Sequence, residues 1–402
     1  MKTKNFFKSL LKKRQIYCPC CKKTTNKKIK GFNFINLPKY PITEFYRKKN
    51  DKLINDALIN QQVLFCKVCD HMFLKNILDV NQIYKNYLTS TNSSGGAILC
   101  LENFFDFIMK NNKKIKKYNV IDIGGNDSTF LGFFKKHKKK LINIDPNGTS
   151  KSSKIICKKV FLENINFSKI TNTNEPTIYT SSHTIEHLEN PILFLENISK
   201  VLTKQDELYL QFPSMEKLIE HKRFDQICHQ HINYFSLNSI YKVLKKLKMY
   251  INDFEYDTSH FGTLRLKISR NKKIISKLKR EKNTFKNAKF AYEAFLNYYT
   301  NLEKTLKSNF KEGQGFGAGL MVPILAYYLP LINELKYIID ENQQKINKKF
   351  INLKPIIKDY SYIDKNKPIL ITSVSTKAAG RKIFNKLCNE GIDDICIPSM
   401  VI

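Results

Sequence analysis

The stretch Val120-Ile-Asp-Ile-Gly-Gly-Asn-Asp-Ser-Thr-Phe-Leu131 begins apolar and β-branched and turns abruptly on two glycines. Asn119 to Ile123 is too short for a helix and reads as a buried strand. Gly124 and Gly125 supply a tight turn free of Cβ atoms. Thr129 to His137 is predicted to be helical. A second strand, Leu141-Ile-Asn-Ile144, ends at Asp145, 21 residues beyond Gly124. In a nucleotide-binding β-α-β unit, an acid at the tip of the second strand reaches ribose hydroxyls. The glycine turn of such a unit admits the ligand to the backbone.

The glycines do not spell G-x-G-x-x-G. The run Asp122-Ile-Gly-Gly-Asn-Asp127 instead resembles the first motif of class I S-adenosylmethionine (SAM) methyltransferases. A plain β-turn-α unit is the alternative reading of so short a motif.

Composition bounds the answer. The 402 residues suffice for two or three domains, and 42% hydrophobic content indicates a globular chain. The net charge of +34 raises the question of nucleic acid. Against it, only seven Arg accompany 62 Lys, and the Lys are scattered along the whole chain. Phosphate recognition favours forked Arg side chains clustered on one face. The charge is expected to attract anionic small molecules instead. No apolar run approaches a membrane span. Residues 1 to 14 are basic but lack the apolar core of a secretory signal. Ten Cys without an export signal imply a reducing, cytoplasmic setting, where metal binding outranks disulfides.

Cys18 and Cys21 form one C-x-x-C, and Cys66 with Cys69 a second, 44 residues on. Each pair can grip one side of a tetrahedral zinc, leaving no open position, so the site is expected to be structural. Reduced, unliganded cysteine is the alternative, and Cys20 is either spare or a substitute ligand. Cys100, Cys157, Cys388 and Cys396 read as ordinary core residues.

Thr177 to Thr180 reads as a strand running into Ser181-Ser-His-Thr-Ile-Glu-His-Leu-Glu-Asn-Pro191. His183 and His187 stand four apart but not as H-E-x-x-H, so a metal role is disfavoured. A helix from Pro191 to Leu202 and a strand from Glu207 to Phe212 follow. Phe224-Asp-Gln-Ile-Cys-His-Gln-His-Ile-Asn-Tyr-Phe-Ser-Leu237 places two of the eight His in alternation. Ser236 caps a helix to Met249. Residues 271 to 310 read as a charged helical connector. The chain then repeats a glycine loop, Gly313-Gln-Gly-Phe-Gly-Ala-Gly319, with Asp340 25 residues past Gly315. Lys311, Glu312 and Gly313 make a poor strand before that loop. Pro368 to Val374 reads as a strand, Thr376 to Asn389 as a helix and Asp394 to Pro398 as a last strand. Together these suggest a second, smaller Rossmann-like unit.

In this order, the motifs resemble the zinc-containing sugar C-methyltransferases, which act on nucleotide-linked 4-keto-deoxysugars. Cys18, Cys21, Cys66 and Cys69 match that family's zinc ligands, and Tyr84 and Tyr87 its tyrosines before the SAM domain. Asp122 to Asp127 and Asp145 match its SAM motifs, and His187 a histidine after the fourth strand. The 224–236 run matches F-D-x-I-Y-H-E-H-x-x-Y-F-S, His260-Phe-Gly-Thr-Leu-Arg265 matches H-G-G-S-L-R, and Gly315-Phe-Gly-Ala318 with Asp340 matches the C-terminal domain. The chain departs at Cys228, where the family has Tyr, and at Gln230, where it has Glu.

The resemblance implies a base that removes a proton beside the sugar ketone, after which the carbon attacks the sulfonium methyl. His231 matches that base and His229 is the second candidate, though His229 could equally serve packing. Gln230 brings no charge to a neighbouring imidazole. A hydroxyl or amine acceptor would need less help from a carboxylate, so O- or N-methylation is the alternative. A non-catalytic basic binding protein is a further one.

The expected architecture is α/β. Residues 1–80 form a zinc module with a basic tail, 81–270 a class I SAM methyltransferase domain, 271–310 a helical connector and 311–402 a C-terminal Rossmann-like domain. The expected cofactor site comprises Asp122, Gly124, Gly125, Asn126, Asp127, Asp145 and His183. The expected acceptor face comprises His187, Cys228, His229, Gln230, His231 and Tyr87. SAM, structural zinc and a nucleotide-linked sugar are the implied ligands.

Overall fold

The computed structural model describes residues 6–14, 17–22, 33–43, 45–54, 57–79, 91, 95–134, 136–137, 139–162, 165–170, 175–258, 262–273, 284–310, 313–373 and 377–398. Tyr84, Tyr87 and His260 lie outside them.

Near the N-terminus, β1 (Asn33–Pro41), β2 (Leu58–Cys66) and β3 (His71–Leu74) form an antiparallel sheet. The two-residue strand Asn233–Tyr234 joins its edge by pairing with β3. The dense His-containing run is therefore built into the sheet that carries Cys66. This crosses the boundary that the sequence suggests at residue 80.

Helix α1 (Gly95–Asn111) leads into a seven-stranded sheet. Its strands are β4 (Asn119–Ile123), β5 (Leu141–Ile144), β6 (Ile155–Lys158), β7 (Thr177–Ser182), β8 (Glu207–Pro213), β9 (Tyr250–Asp257) and β10 (Thr263–Ser269). The order across the sheet is β9-β10-β8-β7-β4-β5-β6, with β10 antiparallel to both neighbours. Counted from β4, this is 3-2-1-4-5-7-6, the class I SAM methyltransferase order. Successive residues face opposite sides. Val120, Ile178 and Tyr209 pack with Phe104 and Phe107 of α1. Ile121, Tyr179 and Leu208 pack with Ile192, Phe194, Ile240 and Val243 on the other face. Strands covered on both faces are mostly apolar, which is why β4 shows no polar alternation; its two polar residues, Asn119 and Asp122, are buried.

Helix α2 (Pro191–Val201) starts where the Asn190 side chain accepts from Leu193 N–H. Helix α3 (Met215–Glu220) follows β8, and Ser236 caps α4 (Leu237–Lys246), a contact worth about 1 kcal/mol. The predicted helix over Thr129–His137 is reduced, among the described residues, to a single 3-10 turn, Leu131–Phe134. Gly132 and the aromatic residues are weak helix formers. Phe130 and Phe134 instead pack on Phe104 and Phe105 of α1.

Helix α5 (Thr284–Leu306) occupies the expected connector. Beyond it, β11 (Gln314–Phe316), β12 (Tyr337–Ile339), β13 (Ile356–Lys358) and β14 (Ile369–Ile371) form an all-parallel sheet. The short β15 (Ile395–Cys396), after α7, completes it in the order β13-β12-β11-β14-β15. Its first strand lies within the glycine run rather than before it. Gly315 is packed so closely that an added Cβ would stand 3.0 Å from Thr372. Helix α6 (Val322–Tyr328) and α7 (Lys377–Asn389) accompany this sheet. Cys388, expected in the core, is exposed on α7, and Cys157 and Cys396 are only partly buried.

One core joins these parts: Ile35 and Val63 of the first sheet, Phe224 and Ile227, Phe295 of α5, and Val322 and Ile338 of the C-terminal unit. Among the described residues, no helix is long and apolar enough to cross a membrane.

Candidate active site

The glycine corner is held from several directions. Gly124 has φ +78°, and a Cβ there would stand 2.2 Å from Thr184 Oγ1. A Cβ on Gly125 would meet Asn143 Oδ1 at 2.5 Å and Asp122 Oδ2 at 2.7 Å. Asn126 and Ser128 also take positive φ, at 46° and 62°. Asn126 N–H donates to Asp145 Oδ2 at 3.2 Å, and Asn143 Nδ2 donates to Asn126 O at 3.0 Å. Asp145 also accepts from Asn147 N–H at 2.7 Å. Asp127 turns away to cap Thr129, accepting from its N–H at 3.1 Å.

Asp122 is 2% exposed and accepts from Thr180 Oγ1 at 2.8 Å. Burial pushes its pKa up to about 7. Burial likewise raises Asp145, against the hydrogen bonds from Asn147 and Asn126. Among the described residues, Asn143 Oδ1 is a buried acceptor without a hydrogen-bond partner at this corner.

Thr184, pressed on Gly124, begins the turn that carries Glu186 and His187. His187 donates from Nδ1 to Gln230 O at 2.9 Å, and its ring meets His231 at 4.9 Å between centroids. Residues 44 positions apart thus converge on the turn whose first residue, Thr184, abuts Gly124. Burial and the neighbouring His187 press the His231 pKa down to about 3, so its ring is neutral with a lone pair to offer. His183 faces Glu186, Nδ1 to Oε1 at 3.2 Å, and its Nε2 lies 3.6 Å from Cys100 Sγ. Burial opposes charge on His183, yet Cys100 and Glu186 outweigh it and hold its pKa at about 10.

The other expected acceptor residues are placed differently. His229 is 1% exposed, with Nδ1 3.1 Å from Gln61 Nε2 and Nε2 3.4 Å from Tyr40 O. Both nitrogens are engaged inside the protein, which favours a packing role. Gln230 Oε1 accepts from Thr43 Oγ1 at 3.0 Å. Cys228 is buried, and its N–H donates to Tyr234 Oη at 3.2 Å. Arg265 is 3% exposed and donates to Gln211 and Glu255, bracing β10.

At the N-terminal sheet, the four sulfurs of Cys18, Cys21, Cys66 and Cys69 lie within 4.8 Å of one another. The closest approaches are 3.5 Å for Cys18 to Cys69 and 3.7 Å for Cys21 to Cys66. Tetrahedral zinc with Zn–S near 2.3 Å needs sulfurs about 3.8 Å apart. Both C-x-x-C turns end alike: Lys22 and Asp70 take φ 56° and 54°, and their N–H groups donate to Cys18 O and Cys66 O. Cys20 is buried but stands outside the four. Arg14, stacked on Phe73, donates to Ile232 O, Glu189 O and Asn233 Oδ1 at 3.0–3.1 Å. It ties the cysteine sheet to the two segments that bring His187 and His231 together.

Residues 98–247 match the family model of a methyltransferase domain. The chain carries a methyltransferase domain. The chain is 18% identical over 214 residues to the C-methyltransferase NovU of Streptomyces niveus, covering 52% of this chain and 51% of that one. It thus spans about half the length of the curated relative it matches. A SAM-dependent methyltransferase of Anabaena variabilis superposes at 13% identity and TM-score 0.34, over 42% of this chain and 85% of that one. Magnesium protoporphyrin IX methyltransferase of Synechocystis, solved with S-adenosylhomocysteine, gives 10%, 0.36, 48% and 92%.

Sequence reasoning missed Glu186, Thr184, Asn143 and Arg14 as parts of this site. Glu186 stood between two noted histidines, but only the fold shows that it is buried.

Proposed function

We propose that this enzyme moves the methyl group of SAM to a carbon beside the ketone of a nucleotide-diphosphate-linked deoxysugar. The observation that carries the reading is the meeting of His187 and His231 on the turn that Thr184 locks against Gly124. The donor corner and His187 therefore stand at the carboxyl ends of the adjacent parallel strands β4 and β7, where ligands of such sheets bind, with His231 brought against His187 from a later segment. The named relative, a C-methyltransferase, supports a carbon acceptor.

The residues fit the donor. The Gly124–Gly125 corner and Asp122 would hold its amino acid part, with Asn126 and Asp127 on the same loop, and the Asp145 carboxylate its ribose. His183, beside the corner, orders this segment through Glu186. Bound SAM supplies an electrophilic methyl on a sulfonium. His231 takes the proton from the carbon beside the ketone, and the C–H electron pair enters the enolate. The enolate carbon then bonds the methyl as the carbon–sulfur pair returns to sulfur. Alignment supplies much of the rate. Tyr87, by the resemblance, faces the sugar.

The four cysteines fit a structural zinc with no open position. It would fix the sheet onto which Asn233–Tyr234 is stitched.

Methylation of a hydroxyl or amine is the second reading, favoured by Gln230, whose Oε1 is held by Thr43 and whose amide brings no charge. Incubation with labelled SAM and a panel of nucleotide sugars, read by mass, tests both. A carbon acceptor predicts solvent exchange of the proton beside the ketone; exchange-free methylation favours the second reading. No product from any nucleotide sugar, with intact SAM binding, overturns the substrate class.

A further inference from the structure

Residue 230 cannot supply negative charge, but a carboxylate on the facing turn can. Glu186 is 1% exposed. Its Oε1 lies 3.2 Å from His183 Nδ1 and 4.0 Å from His187 Nε2. Beyond these facing imidazoles, neither carboxylate oxygen has a hydrogen bond of good geometry among the described residues. Ile232 N–H donates to Glu186 O at 2.9 Å, so the residue after His231 is bonded to the residue that bears the carboxylate. His187, through its 2.9 Å bond to Gln230 O, clamps the same two segments from the other side.

Three imidazoles act electrostatically on Glu186: His183 and His187 from its own turn, and His231 from the later segment. Tyr234 stands within electrostatic reach, and Cys100 of α1 touches the far nitrogen of His183. A buried carboxylate so lightly hydrogen-bonded is costly unless positive charge faces it. The converse also holds: an imidazole here gains a proton more readily because the carboxylate is present.

We propose that Glu186 is a positioning residue for methyl transfer, its buried carboxylate balancing the charge His231 gains on taking the proton beside the acceptor ketone. The role that a carboxylate at position 230 would fill is relocated 44 positions earlier in the chain. This rests on the carbon-methylation reading.

The test uses the full-length protein with S-adenosylhomocysteine and a keto-sugar nucleotide in deuterium oxide, following the proton beside the ketone by NMR. Glu186→Gln is expected to slow exchange at least tenfold at saturating S-adenosylhomocysteine with sugar-nucleotide affinity unchanged, and Glu186→Asp to recover part of the rate. A titration of 15N-labelled histidines needs no substrate: His183 is expected to lose its proton at lower pH in Glu186→Gln. Equal exchange rates in wild type and Glu186→Gln overturn the proposal. So does a divalent metal ion bound in the wild type beyond the cysteine site and lost in Glu186→Gln, because the ion would itself neutralise the carboxylate. Absence of exchange in the wild type with every keto sugar overturns the carbon reading and this role with it. That result is distinguishable from failure of Glu186 alone, where both proteins exchange.

Discussion

The His187 imidazole donates from Nδ1 to the main-chain carbonyl of Gln230 at 2.9 Å. That bond fixes the tautomer of His187 and sets its ring against His231. His231→Ala is therefore expected to lower turnover by about 10²–10⁴, the usual contribution of a positioned base. SAM affinity, which the proposed function assigns to the glycine corner, should stay within about twofold. Steady-state kinetics beside calorimetric titration with SAM separates the two; equal loss of both means His231 serves the fold.

At the proposed donor site, Asp122 is expected to set a pH dependence. Burial holds its pKa at about 7, so near neutrality about half of the carboxyls are protonated in the free protein. The ammonium of a bound donor favours the charged form and pulls that pKa down, so binding releases a proton. Affinity is then full above about pH 7 and falls as pH drops through the free-state value. Calorimetry from pH 5.5 to 8.5 should show that slope. Asp122→Asn should bind more weakly and lose the slope within this window.

Short β-branched and apolar runs bounded by turn residues made β4, β5, β7 and β8 legible from sequence, because strands buried on both faces are mostly apolar. The cysteine spacing announced four converging sulfurs. The helix expected at Thr129 was not legible, because tertiary packing of Phe130 and Phe134 on α1 overrides a weak local preference. His229 and His231 look alike in sequence. Only the paired positions of Tyr40 and Gln61, distant in the chain, separate the packed ring from the accessible one. Glu186 was hidden for the same reason: its burial depends on elements that meet only in the fold.

Gly124 and Gly132 lie in one stretch but should respond oppositely to alanine. A Cβ on Gly124 meets Thr184 Oγ1 at 2.2 Å in a left-handed backbone, whereas one on Gly132 meets nothing within 4 Å. Gly124→Ala should destabilise by roughly 1–2 kcal/mol from the backbone alone and, by moving Thr184, abolish measurable SAM binding. Gly132→Ala should leave both unchanged. Thermal denaturation and SAM titration of the two variants decide it; equal behaviour would mean that the corner is not the donor site.

The cysteine site should matter to catalysis without touching substrate. Cys66 closes β2, whose partner β3 pairs with Asn233–Tyr234, two residues beyond His231. Cys66→Ser should lose the equivalent of zinc per chain and lower the thermal midpoint by roughly 10 °C or more, since 1 kcal/mol moves a domain of this size by about 2–4 °C. Turnover should fall with it, because Arg14 and β3 no longer hold the segment behind His231. Cys20→Ser, outside the four sulfurs, should keep both metal and midpoint. Metal analysis by mass spectrometry, run beside calorimetry, checks each variant. Zinc retained in Cys66→Ser and lost in Cys20→Ser would reassign the fourth ligand to Cys20.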